Sequence, residues 1–195
     1  MKELLLIGTT IITVATSSIG AGSAQSIQSQ QTAPHIRGNH TSIALIHKAE
    51  LKAEAQKEML YQMQLQDNTN KVNDAIKSLK SHVGRTWYVF SGNTPAGWDC
   101  SGLTMWFYEQ LNIELEHRAS KQDNAGKNTN DPKPGDLVVF KYNGSNDAYH
   151  VGIYIGNGNM IHAPKHGHLT RIENIDQFAG DYSKVSYRTF IETNL

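Results

Sequence analysis

The sequence predicts an α+β domain, with N-terminal helices packed on a central antiparallel β-sheet. Three observations predict it. Apolar residues recur at helical spacing up to about residue 111. From residue 136 onward they fall instead into short β-rich runs divided by turn residues. Between the two lies Pro132-Lys133-Pro134-Gly135, which marks the change of period. The 195 residues are 38% hydrophobic, enough for one core of ordinary size with an added segment. Charged residues are 18%, too few for a disordered chain. Lys plus Arg (18) equals Asp plus Glu (18), which argues against a basic nucleic-acid binder.

Met1-Lys2-Glu3 precedes a weakly apolar run from Leu4 to about Ala15, then small residues to Ala24. Gly22-Ser23-Ala24 fits the small-x-small pattern before a cleavage site, so residues 1–24 are read as a secretory signal peptide. The competing reading is an uncleaved N-terminal anchor, for which Thr9, Thr10 and Thr13 make a poor span. Both place the protein outside the cytoplasm. Residues 25–40 are polar and rich in Gln, Ser and Asn, as in a linker.

Residues 42–66 favour helix, being rich in Ala, Leu, Glu, Lys and Gln with no Gly or Pro. Ile46, Ala49, Ala53, Gln56, Leu60 and Met63 alternate at three and four, a thin seam suited to a helix hairpin or weak coiled coil. Segment 41–68 is therefore a helical spacer, or a helix for self-association or a partner through residues 41–66. Asp67-Asn68-Thr69-Asn70 breaks the pattern, and a catalytic-sized domain is expected over 70–195. A second helix is predicted over about 70–82, with Val72, Ile76, Leu79 and Val83 on one face and Gly84 ending it. Residues 91–98 are turn-rich. Residues 100–111 read as a buried helix through Leu103, Met105, Trp106, Phe107 and Leu111. Residues 119–135 read as a long polar loop. Strands are predicted over 136–142, 150–155, 159–163 and 185–190, with a weaker one over 169–172.

Cys100 is the single cysteine, which excludes an internal disulfide framework and a cysteine-based zinc ribbon. It is either buried filler or a reactive thiol. Its place at a predicted helix start favours an anion, so a lowered thiol pKa is expected there. Asp99 is a plausible N-cap, and Gly102 lets chain or substrate approach behind the sulfur. A thiol nucleophile needs a base and the base needs an orienting partner. Among nine histidines, His150 opens one predicted strand and His162 lies in the next.

Strand parity tests that pair. His150, Gly152 and Tyr154 face one way; Val151, Ile153 and Ile155 face the other. A two-residue turn at Asn157-Gly158 pairs Ile153 with His162 and separates the histidines. A three-residue loop, Gly156-Asn157-Gly158, pairs Gly152 with His162 and unites them, with Gly152 leaving room beside the His162 ring. A joint role thus predicts an odd loop or a bulge, against the strongest local turn signal.

Four blocks carry a family likeness: Asp99-Cys100-Ser101-Gly102-Leu103, Pro134-Gly135-Asp136-Leu137-Val138-Val139-Phe140, His150-Val151-Gly152-Ile153-Tyr154-Ile155-Gly156 and Ile161-His162-Ala163-Pro164. In order and spacing they resemble the signature blocks of the NlpC family of papain-like cell-wall cysteine peptidases, from about residue 70 to 190. Tyr88-Val89-Phe90-Ser91-Gly92 resembles the stretch before the nucleophile, with Phe90-Ser91 where an aromatic followed by glycine is usual. The resemblance implies a papain-like fold with Cys100 as nucleophile at a helix N-terminus. It implies His150 as base and then acid, and His162 as the orienting third residue. It implies Tyr88 beside the thiolate, polarising the scissile carbonyl with the Cys100 backbone N–H. The implied substrate is the peptidoglycan stem peptide, often cut between D-γ-glutamyl and a diamino acid. No cofactor or nucleic acid is implied, and the enzyme would be secreted or wall-associated.

Trp98, in the turn before the cysteine, is the first candidate for a substrate groove, with Asp99, Ser101 and Gly152 beside it. Other readings are a CHAP-type N-acetylmuramoyl-L-alanine amidase, a catalytically idle wall-binding module, and a wall-opening factor of a phage tail or conjugation machine. His35, His40 and His47 are expected in solvent, and His82 and His117 near helix ends. His162, His166 and His168 could be taken for a metal cluster. Pro164 and Gly167 break that spacing and no acid is interleaved, so no metal is expected.

Overall fold

The computed structural model describes residues 39–195. The predicted signal peptide and most of the predicted linker lie outside the described residues. One compact unit spans Leu45–Leu195; of the unit Met1–Ala44, the structure describes the start of the first helix.

Helix α1 (Asn39–Lys80) leads into a short hairpin, β1 (Asn93–Thr94) and β2 (Gly97–Trp98). Helices α2 (Cys100–Glu109) and α3 (Ala119–Ala125) follow. Then come β3 (Lys127–Thr129), β4 (Leu137–Tyr142), β5 (Ala148–Gly156), β6 (Asn159–His162), β7 (Arg171–Asn174), a short α4 (Ile175–Ala179) and β8 (Ser183–Thr189). Six strands form one antiparallel sheet in the order β3-β8-β4-β5-β6-β7. This is an α+β, papain-like arrangement. No helix among the described residues is long and apolar enough to cross a membrane.

Each face of the sheet carries its own core. On one face Leu137, Val139, Val151, Ile153 and Ile161 pack against Val72, Ile76 and Leu79 of α1 and Leu103 and Phe107 of α2. On the other, Val138, Phe140 and Met160 pack against Ile175 and Ala179, with Phe178 beside them. Alternation along β4 and β5 therefore decides which side chains meet α2 and which meet α4.

The break expected at residues 67–70 does not occur: α1 is continuous through it. Asp, Asn and Thr are weak helix formers but do not forbid helix as proline does. Here they are held in place by neighbours. Lys71 Nζ lies 2.7 Å from Asp67 Oδ2, one turn away. The Thr69 hydroxyl donates to Leu65 O at 2.8 Å and accepts the Asn194 N–H at 3.1 Å. Asn68 Nδ2 donates to Glu192 O at 2.9 Å. Side chains that read as a turn in fact bind the C-terminal segment to the helix.

Beyond that point α1 enters the core, with Val72 and Leu79 both at 0% exposure. Each such burial is worth about 1.5–3 kcal/mol, which anchors this end of the helix. Upstream, Ile46, Leu60 and Met63 of the predicted seam are exposed.

The loop expected at 119–135 contains α3 and β3. Their order comes from long-range contacts and not from apolar periodicity. Asp123 is 3% exposed and ion-paired with Lys141 Nζ and Arg188 Nη2, each at 2.6 Å. Gln122, also buried, donates to Ser101 O and accepts from the Thr104 hydroxyl, tying α3 to α2.

Candidate active site

Helix α2 begins at Cys100 because Asp99 caps it. Asp99 has extended backbone, and its Oδ1 accepts the Gly102 N–H at 2.8 Å. The Ser101 hydroxyl donates to the same oxygen at 2.9 Å, and the Ser91 N–H donates to Oδ2 at 3.0 Å. His117 Nε2 lies 2.9 Å from Oδ1. Burial pushes the Asp99 carboxyl up, but the bonds from Gly102, His117 and Ser101 outweigh this and hold it below its ordinary value. Ser91 stands at φ 58, in the left-handed region. Serine thus takes, at some cost, a conformation that glycine takes freely.

Cys100 keeps part of its surface open to solvent. Burial pushes its thiol up to about 11, and the neighbouring Asp99 charge adds to that. The backbone N–H groups of Val151, Ser101 and Cys100 act in the opposite direction and do not prevail. The lowered pKa expected from helix position alone is therefore overturned, since desolvation and a carboxylate outweigh the helix N-terminus. The resting sulfur is a neutral thiol. The Val151 N–H at the sulfur fixes the thiol beside the strand position next to His150.

The hairpin that follows resolves the parity question. Asn157 and Gly158 form a two-residue turn, both with positive φ (54° and 70°), closed by the pair Gly156 and Asn159. The register then shifts between Tyr154 and Gly156, so Ile155 is an extra residue in β5. Past this bulge Tyr154 pairs with Met160 and Ile153 with Ile161. That register sets His150, Gly152 and His162 on one face, the face covered by α4.

His150 Nε2 and His162 Nδ1 lie 2.8 Å apart, with the rings edge-on at 86°. His162 Nε2 lies 2.9 Å from Glu173 Oε2. The same carboxylate oxygen accepts from Arg171 Nε at 3.0 Å and Nη2 at 2.7 Å. Phe178 of α4 covers both imidazoles, its centroid 4.8 Å from each. His150 is 4% exposed and His162 0%. Burial, then the adjacent His162 ring, drives His150 well below its ordinary value. Burial, then the Arg171 charge, lowers His162 to about 3. Both rings are neutral at physiological pH. The Asp99 charge acts on His150 in the opposite direction, so the start of α2 and the histidine lie within electrostatic reach.

Tyr88 donates its N–H to His168 O at 2.9 Å. Burial, then the Cys100 and Asp99 charges, raise its hydroxyl pKa, so it stays protonated.

The candidate groove residues are corrected. Trp98 is 0% exposed, and its Nε1–H donates to Thr170 Oγ1 at 2.7 Å. Its ring packs edge-on against His82, so it is core and not groove wall. Asp99 and Ser101 are buried and spend their polar atoms on the helix cap and on α3. Gly152 is buried too. A Cβ there would meet Met160 Sδ at 2.9 Å and His162 Cβ at 3.2 Å, so it acts as a spacer between strands. His117, expected near a helix end, is a partner of Asp99. The two ring nitrogens of His162, which His166 and His168 follow in sequence, are taken by His150 and Glu173.

Sequence reading missed Glu173, Arg171 and Phe178. The signal available was Arg171-Ile172-Glu173-Asn174, whose alternation puts two opposite charges on the face that β6 shares with His162.

Comparison with known proteins bears on the family. The NlpC/P60 family model matches residues 84–191, more than half of the chain. A protein named "Probable endopeptidase" from Mycobacterium bovis is 36% identical over 114 residues, covering 57% of this chain and 28% of its own length. Murein DD-endopeptidase MepH of Escherichia coli is 34% identical over 109 residues, covering 53% of this chain and 40% of its own. The chain thus spans less than half the length of either curated relative. Among solved structures, the NlpC/p60 domain of the peptidoglycan hydrolase SagA superposes with a TM-score of 0.53 at 29% identity, covering 61% of this chain and 98% of that domain. With the matched segment containing Cys100, His150 and His162, the chain belongs to the NlpC/P60 family.

Proposed function

We propose that this protein is a peptidoglycan hydrolase, a cysteine endopeptidase that cuts stem peptides through Cys100, His150 and His162. The observation that carries the reading is the 2.8 Å contact between two neutral, buried imidazoles, in a family-matched segment that also sets its single thiol at a helix start. As the sulfur attacks the scissile carbonyl carbon, its proton passes to His150 and an S–C bond forms. The backbone N–H of Cys100 and the Tyr88 hydroxyl stabilise the oxyanion. The C–N bond breaks and His150 returns the proton to the leaving amine. Water, deprotonated by His150, then cleaves the thioester and regenerates the thiol.

The neutral resting pair supports proton transfer during attack and not a preformed thiolate–imidazolium pair. The bond between D-γ-glutamyl and a diamino acid is the proposed target, and the protein acts after export, secreted or wall-associated. No cofactor enters the reaction. Digestion of purified muropeptides by the full-length chain, read by mass spectrometry, tests this. Fragments ending in D-γ-glutamate with a free amine on the diamino acid are expected. Release of whole stem peptides from the lactyl group would replace the reading with an amidase, and cuts confined to cross-links would move the bond. Unchanged muropeptides would indicate an idle wall-binding module.

A further inference from the structure

Beyond the three residues above, a fourth side chain reaches the histidine pair from a different strand. Glu173 of β7 accepts from Arg171 at 3.0 and 2.7 Å, an ion pair that marks it as a carboxylate. A carboxylate only accepts hydrogen bonds. At 2.9 Å from Glu173, His162 Nε2 must therefore carry the proton. A neutral imidazole has one N–H, so His162 Nδ1 holds a lone pair. Across the 2.8 Å contact, His150 Nε2 must then donate. The lone pair of His150 is left on Nδ1.

We infer that Glu173 is a positioning residue that fixes the tautomers of both histidines and so selects His150 Nδ1 as the base. One carboxylate sets proton positions across two rings. The order survives the reaction as well. When His150 gains a proton on Nδ1, its Nε2–H still donates to His162, so no bond need reverse. Without Glu173, His162 can carry its proton on Nδ1. His150 would then present Nε2 as acceptor and hold N–H at Nδ1, where it could take no proton from a thiol. Phe178 and Phe140 flank His150 and leave few other polar partners. The charged groups that act on the pair are Asp99 from the start of α2, and Arg171 and Glu173 from β7.

The kinetic consequence rests on the peptidase reading, whereas the tautomers do not. The test uses the full-length chain and its Glu173→Gln, Glu173→Asp and Glu173→Ala variants. Two-bond proton–nitrogen NMR reads the ring nitrogens, alongside kcat, KM and the pH profile on muropeptides. The wild type is expected to show protonated Nε2 on both His150 and His162. Glu173→Gln, which keeps the shape, is expected to lower kcat about 10- to 100-fold with KM within about twofold. Its acid limb of kcat/KM should move to lower pH, because a negative charge that stabilises the imidazolium is gone. Glu173→Asp should restore part of kcat. A wild type with Nδ1–H on either ring overturns the inference. So does a folded Glu173→Ala or Glu173→Gln with wild-type kcat, pH profile and tautomers. If the tautomers hold but Cys100→Ala still cleaves, the peptidase reading fails and the tautomer assignment stands.

Discussion

His150 and His162 are bonded at 2.8 Å because Ile155 is an extra residue between them. Asn157-Gly158 makes the tight turn that its sequence favours, and that turn alone would place the two rings on opposite faces of the sheet. The bulge at Ile155 moves the register by one and brings them together. The turn chemistry and the site chemistry pull toward different registers, and the extra residue satisfies both.

Gly152→Ala is expected to disturb this pairing directly. A new Cβ would press on Met160 Sδ at 2.9 Å, Ile161 O at 3.1 Å and His162 Cβ at 3.2 Å. Overpacking of this kind costs about 1–3 kcal/mol, and the His162 backbone can yield only by shifting the hairpin. A fall in Tm with a fall in kcat is predicted. An unchanged Tm would show that the strands are looser than described.

Stability should fall on acidification through the histidine pair. Both rings have pKa values below the ordinary 6.5, with His162 at about 3. Below about pH 6.5 the unfolded chain therefore binds more protons than the folded one. Stability is full above that pH and falls as the pH drops toward the folded values, by up to about 1.4 kcal/mol per pH unit for each ring. Thermal melts between about pH 7.5 and about pH 4.5 should show the slope, and His162→Asn should reduce it. A flat Tm across that range would contradict the buried neutral pair.

Alkylation of Cys100 reads the thiol state, with no second cysteine to confuse it. With the thiol at about 11, iodoacetamide labelling of the folded chain should accelerate steadily from neutral pH into the alkaline range. At about pH 8 the unfolded chain should react faster than the folded one, because an unburied thiol ionises more readily. A plateau already present below neutral pH would indicate a preformed ion pair instead.

Tyr88→Phe removes a hydroxyl that burial and the nearby thiol and Asp99 keep protonated. If this O–H stabilises the oxyanion, kcat should fall about 100- to 1000-fold with folding intact. Loss confined to KM would assign Tyr88 to substrate binding alone.

The fold class and the two chemical elements were legible because they rest on local pattern. A capped helix start at Cys100 and alternating strands around His150 and His162 are visible in short windows of sequence. The features that were not legible depend on contacts distant in the chain. Asp67-Asn68-Thr69-Asn70 reads as a break until Glu192 and Asn194 are seen to occupy its side chains. Helix α3 has no apolar stripe because Asp123 and Gln122 anchor it with polar bonds. Trp98 looked like a groove residue from its place in a turn, yet Thr170 and His82 enclose it. The thiol pKa does not follow from helix position, because burial and the charge of the capping Asp99 act against the helix terminus.

The central claim is that Cys100, served by the paired histidines, performs the cleavage. It is tested most directly by incubating the full-length protein and its Cys100→Ala variant with the same purified muropeptides and following fragments by mass spectrometry over time. The account predicts stem-peptide fragments from the wild type and none from a Cys100→Ala variant that melts at an unchanged temperature. Cleavage by Cys100→Ala at the wild-type rate would contradict it.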